Sequence, residues 1–383
     1  MRPVAIVGIG QTPVGEHWSS SLRMLAADAI HHAFQDASLR QVDSLYIGNA
    51  YGAAFSSQQQ LGSLVADYAG LGNIEACTLE AGDASGAAAL RAGYLAVASG
   101  AVETALVLGV EKSTDTIGSA HVEARGVSLD ADYEAAHGVT LTALAALLMR
   151  RYMYEHGLPL DAFEGFSINA HANGARSEYA MFRNLIKPGR FAKAPMIADP
   201  VSLFDSAPDG DGAAAVILTS AERAADLVAQ PVIIAASAAA TDTLALQDRA
   251  DMLHLKAVQS SASRAFAQAG LQPDDVSFFE LHDAYTVLSA LALEASGFAE
   301  RGQGCALAQS NSIGLTSKLP LSTFGGLKAR GNPAGATGVY QAVEATMQLR
   351  GIAGANQVVG AKVGLLQNLG GLGSSAYTHI LRV

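Results

Sequence analysis

The chain has 383 residues, of which half are hydrophobic, 15% are charged and only 6% are aromatic. That composition excludes a disordered chain, which combines low hydrophobicity with high charge. A net charge of −11 excludes a non-specific nucleic-acid binder, because neutralising phosphates takes clustered cations. Cys77 and Cys305 are the only cysteines, too few for a disulfide framework or a zinc site within the chain, so no metal is expected in it. The apolar stretch after Met1 is too short for a secretory signal. The most apolar helical segment, Leu141 to Met149, is half a membrane span, so a cytoplasmic protein without membrane insertion is expected.

In chain order, Val4 to Ile9 reads as a short buried strand bounded by glycines. Leu22, Leu25, Ala26, Ala29, Ile30, Ala33 and Phe34 form one apolar helical face, with Ser19-Ser20-Ser21 as its N-terminal cap. Leu45-Tyr46-Ile47 and Ala105 to Leu108 are short strands, with a helix over Ala87 to Ala98 between them. Strands without polar alternation, joined by helices, predict an α/β sheet covered on both faces.

The chain also repeats itself. Ala33-Phe34-Gln35-Asp36-Ala37-Ser38-Leu39 recurs as Ala265-Phe266-Ala267-Gln268-Ala269-Gly270-Leu271, each followed by a β-rich run. Asp83-Ala84-Ser85-Gly86 opens one helix and Asn332-Pro333-Ala334-Gly335 another. Two related halves are expected, 1–225 and 228–383, with an inserted loop domain over 114–203 in the first. A pseudo-twofold would bring the two helix starts together at an active cleft. Within the insertion, the cation-rich stretch 171–193 inverts the overall sign of the chain. Its Arg183, Lys187 and Arg190 read either as a solvated loop surface or as a handle for an anionic ligand such as a nucleotide phosphate.

Seven segments in order resemble the thiolase superfamily, specifically the archaeal and sterol-carrier-protein-type thiolases: residues 4–10, 105–112, 150–153, 209–215, 282–285, 325–333 and 368–373. The resemblance covers essentially the whole chain. It implies a five-layered αβαβα fold, a homodimer, and carbon–carbon bond chemistry beside a coenzyme A thioester in lipid metabolism. It also implies a possible zinc-ribbon/OB-fold partner that helps to bind acyl-CoA. The family uses a cysteine at a helix N-terminus, in Cys-Ala-Ser-Gly, to take the acyl group, and a histidine in Gly-His-Pro to assist it.

Here those positions read Asp83-Ala84-Ser85-Gly86 and Gly331-Asn332-Pro333, and His-Asp-Cys-Phe reads His282-Asp283-Ala284-Tyr285. Asp83 and Asn332 read either as N-caps or, with His282 and Tyr285, as proton-transfer and hydrogen-bonding groups of a cleft without a nucleophile. Cys77 is expected to be buried and inert, and Cys305 incidental. Such a set suits retro-aldol cleavage of a β-hydroxyacyl-CoA. A catalytically silent CoA-thioester-binding or scaffold subunit, and an acyltransferase with an atypical site, are the other readings.

Overall fold

The computed structural model describes residues 2–383. The N-terminal segment runs β1 (Val4–Gln11), α1 (Leu22–Ala37), β2 (Ser44–Gly48), α2 (Gly52–Ser56), α3 (Leu61–Tyr68), β3 (Glu75–Leu79), α4 (Ser85–Ser99) and β4 (Thr104–Glu111). A largely helical insertion follows, with α5 (Gly118–Gly126), α6 (Leu141–His156), α7 (Glu164–Gly174) and the small hairpin β5 (Met196–Ala198) and β6 (Val201–Ser202). The chain returns through β7 (Gly212–Ser220), α8 (Ala221–Leu227), β8 (Val232–Thr241), α9 (Lys256–Ala269), β9 (Phe278–Glu280) and α10 (Thr286–Ala295). It ends with α11 (Gly304–Gln309), α12 (Gly326–Ala329), α13 (Thr337–Leu349), β10 (Val363–Gly370) and β11 (Ser375–Arg382).

Nine strands form one mixed sheet in the order β3-β2-β4-β7-β1-β8-β11-β10-β9. Its two sides are joined only by β1 against β8, through the pairs Ala5–Ile233 and Ile6–Val232. Alternate residues of the strands feed different cores, as the two-residue period of a strand requires. Ala5, Val7, Leu106 and Leu108 pack with α1 and α3, whereas Val4, Ile6, Ala105 and Val107 face α4 and α13. From the other side of the sheet, Val232, Ile234, Leu366 and Leu381 close on the same two helices. Ala236, Ala238, Leu365 and Ile380 turn outward to α9 and α10. The result is five layers, α-β-α-β-α, with α4 and α13 in the middle.

Small residues make that middle layer possible. A Cβ on Gly86 would lie 2.7 Å from the Gly335 carbonyl oxygen, and one on Gly338 would lie 2.3 Å from the Ala87 nitrogen. The heads of α4 and α13 therefore meet backbone to backbone.

Two local expectations need correction. Ser21 is the N-cap residue of α1, but its side chain makes no cap bond. Cys77 is exposed, because β3 is an edge strand paired only with β2. Cys305 is buried, and burial beside Glu294 pushes its thiol up to about 12. No helix is long and apolar enough to cross a membrane.

Candidate active site

The site is assembled where the insertion folds over the heads of α4 and α13. Asp83 precedes α4 but does not cap it. Ser85 Oγ does the local work, accepting from the Ala81 N–H at 2.9 Å and donating to the Gly82 carbonyl. The Asp83 carboxylate instead accepts two bonds from the fork of Arg125, Nη1 to Oδ1 at 3.0 Å and Nη2 to Oδ2 at 3.1 Å. The Tyr51 hydroxyl donates a third bond at 3.1 Å. Asp83 is only 2% exposed. Burial alone would raise its pKa, but the Arg125 charge and these bonds outweigh it and hold the carboxyl below its usual range.

Arg125 comes from α5, one turn after His121, so both side chains lie on the same helical face. Its guanidinium stacks 4.7 Å above the Tyr51 ring, and its Nε lies 3.8 Å from Asp209. His121 Nε2 sits 2.7 Å from Asp209 Oδ2, and its Nδ1 is 3.0 Å from the Thr116 carbonyl oxygen. With both ring nitrogens facing acceptors the imidazolium is favoured, and the bond to Asp209 raises the His121 pKa.

Residues 205–210 stitch the insertion to the second half of the chain. Ala207 N–H donates to Ala284 O at 2.8 Å, Thr286 N–H to Asp205 O at 3.1 Å, Asn332 N–H to Pro208 O at 2.9 Å, and Gly210 N–H to Asn332 O at 3.1 Å. Asn332 is not the N-cap of α13, which is Ala336, but braces the turn before that helix: its Oδ1 accepts from Ala334 N–H at 3.0 Å and from Thr337 Oγ1 at 3.3 Å. Tyr285 points its hydroxyl to Thr142 Oγ1, 2.9 Å away, and burial pushes the phenol up to about 12.

These residues enclose a cleft of about 340 Å³ bordered by His121, Arg125, Thr142, Asp209, Tyr285 and Asn332. Asp83 and His282 are not on its wall. His282 is buried, and that burial drops its pKa to about 4 despite the nearby Asp83 charge, so the ring is neutral. Asn368 Nδ2 donates to its Nδ1 at 3.0 Å, which leaves the ring proton on Nε2, without a partner. Among the sequence candidates, Tyr285 and Asn332 therefore share the cleft, while Asp83 and His282 stand behind it.

Arg183, Lys187 and Arg190 are exposed, border none of this cleft and make no ion pair among the described residues. Among the described residues no cluster of His, Cys, Asp or Glu could hold a metal ion.

Sequence reasoning missed His121, Arg125 and Asp209, and also Glu111. The first two announce themselves only by their four-residue spacing on a short helix in the insertion. Glu111 lies at the end of β4, fully buried. Its carboxylate accepts from Asn49 Nδ2 at 2.9 Å and from the N–H groups of Ala50 at 2.9 Å, Tyr51 at 3.2 Å and Gly335 at 3.1 Å. It thus ties the Tyr51 loop to the turn before α13. Burial pushes it up to about 7, against those bonds.

The model of the thiolase N-terminal domain matches residues 4–196, and that of the thiolase C-terminal domain-like family matches 238–383. An acetyl-CoA acetyltransferase of Methanothermobacter thermautotrophicus is 40% identical over 99% of both chains. The chain belongs to the thiolase superfamily. Sterol carrier protein 2 of rabbit is a more distant relative of this thiolase-family chain, 28% identical over 99% of it and 72% of the relative. Among solved structures, the Ltp2-ChsH2(DUF35) aldolase superposes with a TM-score of 0.87 at 23% identity, covering 100% of this chain and 98% of the other. The acetyl-CoA acetyltransferase of Syntrophomonas wolfei gives 0.74 at 18% identity, covering 100% and 99%. These two likenesses concern the fold. In this thiolase-family chain the head of α4 carries Asp83, paired with Arg125.

Proposed function

We propose that this thiolase-family protein binds acyl-CoA thioesters and makes or breaks a carbon–carbon bond by aldol chemistry, without an acyl-cysteine intermediate. The observation that carries the reading is the Asp83–Arg125 pair: the residue at the head of α4 is a carboxylate, buried and engaged on both oxygens. Neither Cys77 nor Cys305 borders the cleft. A carboxylate is in any case a poor acyl acceptor, since the mixed anhydride is more reactive than a thioester.

In the cleavage direction, the Asp209 carboxylate takes the proton of the β-hydroxyl group. The Cα–Cβ bond breaks, its electron pair becomes the thioester enolate, and an aldehyde or ketone leaves. The Arg125 charge stabilises the enolate. The Tyr285 phenol, kept protonated by burial, delivers a proton to Cα. The proton held on Asp209 returns to Tyr285 through the solvent of the cleft. Asp83 holds Arg125 in place, Asn332 holds the turn before α13, and neutral His282 serves as a hydrogen-bonding group behind them.

The two-half organisation, 1–225 and 228–383 with 114–203 inserted, is part of this reading. So is a homodimer, supported by the exposed edge strand β3. A zinc-ribbon partner is supported by the fold likeness to a protein named for its DUF35 complex. Arg183, Lys187 and Arg190 are proposed as the phosphate handle, supported by their exposure and common sign.

The test is incubation with β-ketoacyl-, β-hydroxyacyl- and enoyl-CoA esters, with and without such a partner, followed by mass spectrometry of products and intact protein. A released carbonyl compound with a shortened acyl-CoA and no protein adduct is the expected result, lost in Asp83→Ala while ester binding persists. An acyl adduct on Cys77 or Cys305 would restore a thiolase. Ester binding without turnover under every condition would favour a silent subunit.

A further inference from the structure

A second cavity, of about 270 Å³, lies beside the cleft, and Ile197, Ser206 and Ala207 border both. Its walls are mainly apolar, from Phe182, Leu203, Phe204 and Pro208, and of the four polar residues on it, His171, Asn184, Ser206 and Lys328, two are buried, His171 and Lys328. His171 is 6% exposed and Lys328 5%.

Each of the two has one hydrogen-bonding position uncommitted. His171 Nδ1 is 2.8 Å from the Asn184 carbonyl oxygen, so Nδ1 carries the ring proton and Nε2 is left as an acceptor. Nε2 is buried and has no partner. Burial, with the Lys328 charge adding to it, lowers the His171 pKa and keeps the ring neutral. Lys328 Nζ donates to Leu203 O at 2.8 Å and to Ser206 O at 2.6 Å, which uses two of its three N–H groups. No carboxylate lies within the ion-pair distance of it among the described residues. The chain thus offers an acceptor and a charge-assisted donor within one apolar cavity. Buried polar groups left open in this way cost free energy unless something completes them.

The aromatic geometry narrows the ligand. His171 stacks on Phe182 with ring centroids 6.1 Å apart and planes 11° from parallel, and meets Phe204 edge-on at 6.5 Å. Planar walls of this kind suit a ring. The volume suits one too, since about 150 Å³ is enough to hold benzene.

We propose that this cavity receives the distal end of the acyl group, and that the end it fits is a hydroxyl-bearing ring whose O–H donates to His171 Nε2 and accepts from Lys328 Nζ. A hydroxyl can donate to the one and accept from the other with the histidine neutral. The proposal names the substrate class for the acyl-CoA reading above and rests on it for the link to the thioester.

Calorimetric binding of 4-hydroxyphenylpropionyl-CoA and phenylpropionyl-CoA tests it without turnover, because neither ester carries the β-hydroxyl group that reaction requires. The hydroxylated ester is expected to bind about tenfold tighter, the scale of one hydrogen bond to a charged group. His171→Phe, which keeps the stacked ring and removes Nε2, should bring the two within about twofold, and Lys328→Met should act the same way. Equal affinities in the unmodified protein overturn the proposal, whether or not either variant folds. Tighter binding of a 4-carboxyphenyl ester would overturn the hydroxyl assignment. p-Cresol against toluene separates the two readings. Preference for p-cresol with no binding of either ester sinks the thioester reading alone, and no preference sinks the cavity assignment.

Discussion

Arg125 and Asp83 stand 42 residues apart in sequence and meet fork to fork, with N–O distances of 3.0 and 3.1 Å, and the guanidinium lies over the ring of Tyr51. The pair joins the insertion to the head of α4, so the wall of the cleft and the residue before that helix form one electrostatic unit. Both members are largely buried, with side chains 14% and 3% exposed. Neither charge can therefore be deleted without consequence for the other.

Removing one partner of a buried pair costs more than removing both. Arg125→Met should destabilise the protein by about 3–5 kcal/mol in urea unfolding, because Asp83 is left buried and unpaired. The double variant Asp83→Asn/Arg125→Met should recover most of that loss. Additive losses in the double-mutant cycle would show that the two side chains are not coupled.

His121 gives the protein a pH-dependent component of stability. Its folded pKa is raised by Asp209, so the contribution is fully present below the unfolded value near 6.5. It is lost as pH rises through the raised folded value. His121→Gln should flatten the unfolding free energy between those two values, by under about 1 kcal/mol for so partly exposed a pair. An unchanged pH profile would mean that the imidazolium gains nothing from Asp209.

Tyr285→Phe removes one hydroxyl from the cleft and leaves the ring in place. For the proposed aldol reaction, kcat should fall by about 10²–10⁴-fold with little change in KM, since the proton is needed in the transition state. The Thr142 hydroxyl remains free to bond solvent in the cleft, so unfolding should shift by no more than about 1 kcal/mol. A loss confined to KM would instead assign Tyr285 to binding.

Glu111 is the knot between the two halves of the site. Glu111→Ala strands one N–H of the Asn49 amide, whose nitrogen keeps its bond to the Val110 carbonyl, and the backbone N–H groups of Ala50, Tyr51 and Gly335. At about 1–3 kcal/mol for each unsatisfied group, a loss of at least about 3 kcal/mol is expected, measured by urea unfolding. Glu111→Gln keeps an acceptor oxygen and should lose less. A neutral Glu111→Ala would mean that solvent reaches those donors.

Much of the architecture follows from local patterns that any reader of the chain can see. Unbroken apolar runs such as Val4 to Ile9 and Ala105 to Leu108 must be covered on two faces, and the apolar spacing from Leu22 to Phe34 must make a helix. Glycine at 86, 335 and 338 signals that two helix starts approach closely, because a side chain there would meet backbone. That Asp83 stands where the resemblance places a cysteine is likewise a matter of sequence alone. What Asp83 does is not, since a cap and an ion-pair partner look identical until the neighbour is known. Arg125 arrives from a nine-residue helix with little periodicity, and Asp209 from a turn, so nothing local links either to residue 83. Cys77 carries the same lesson in reverse, because its strand is short and apolar enough to read as interior. Only the strand order shows that β3 has one neighbour and an open edge. Short-range periodicity encodes which face of an element is buried. Which charges meet inside is decided when distant segments close around a cavity, where low dielectric makes each pairing count.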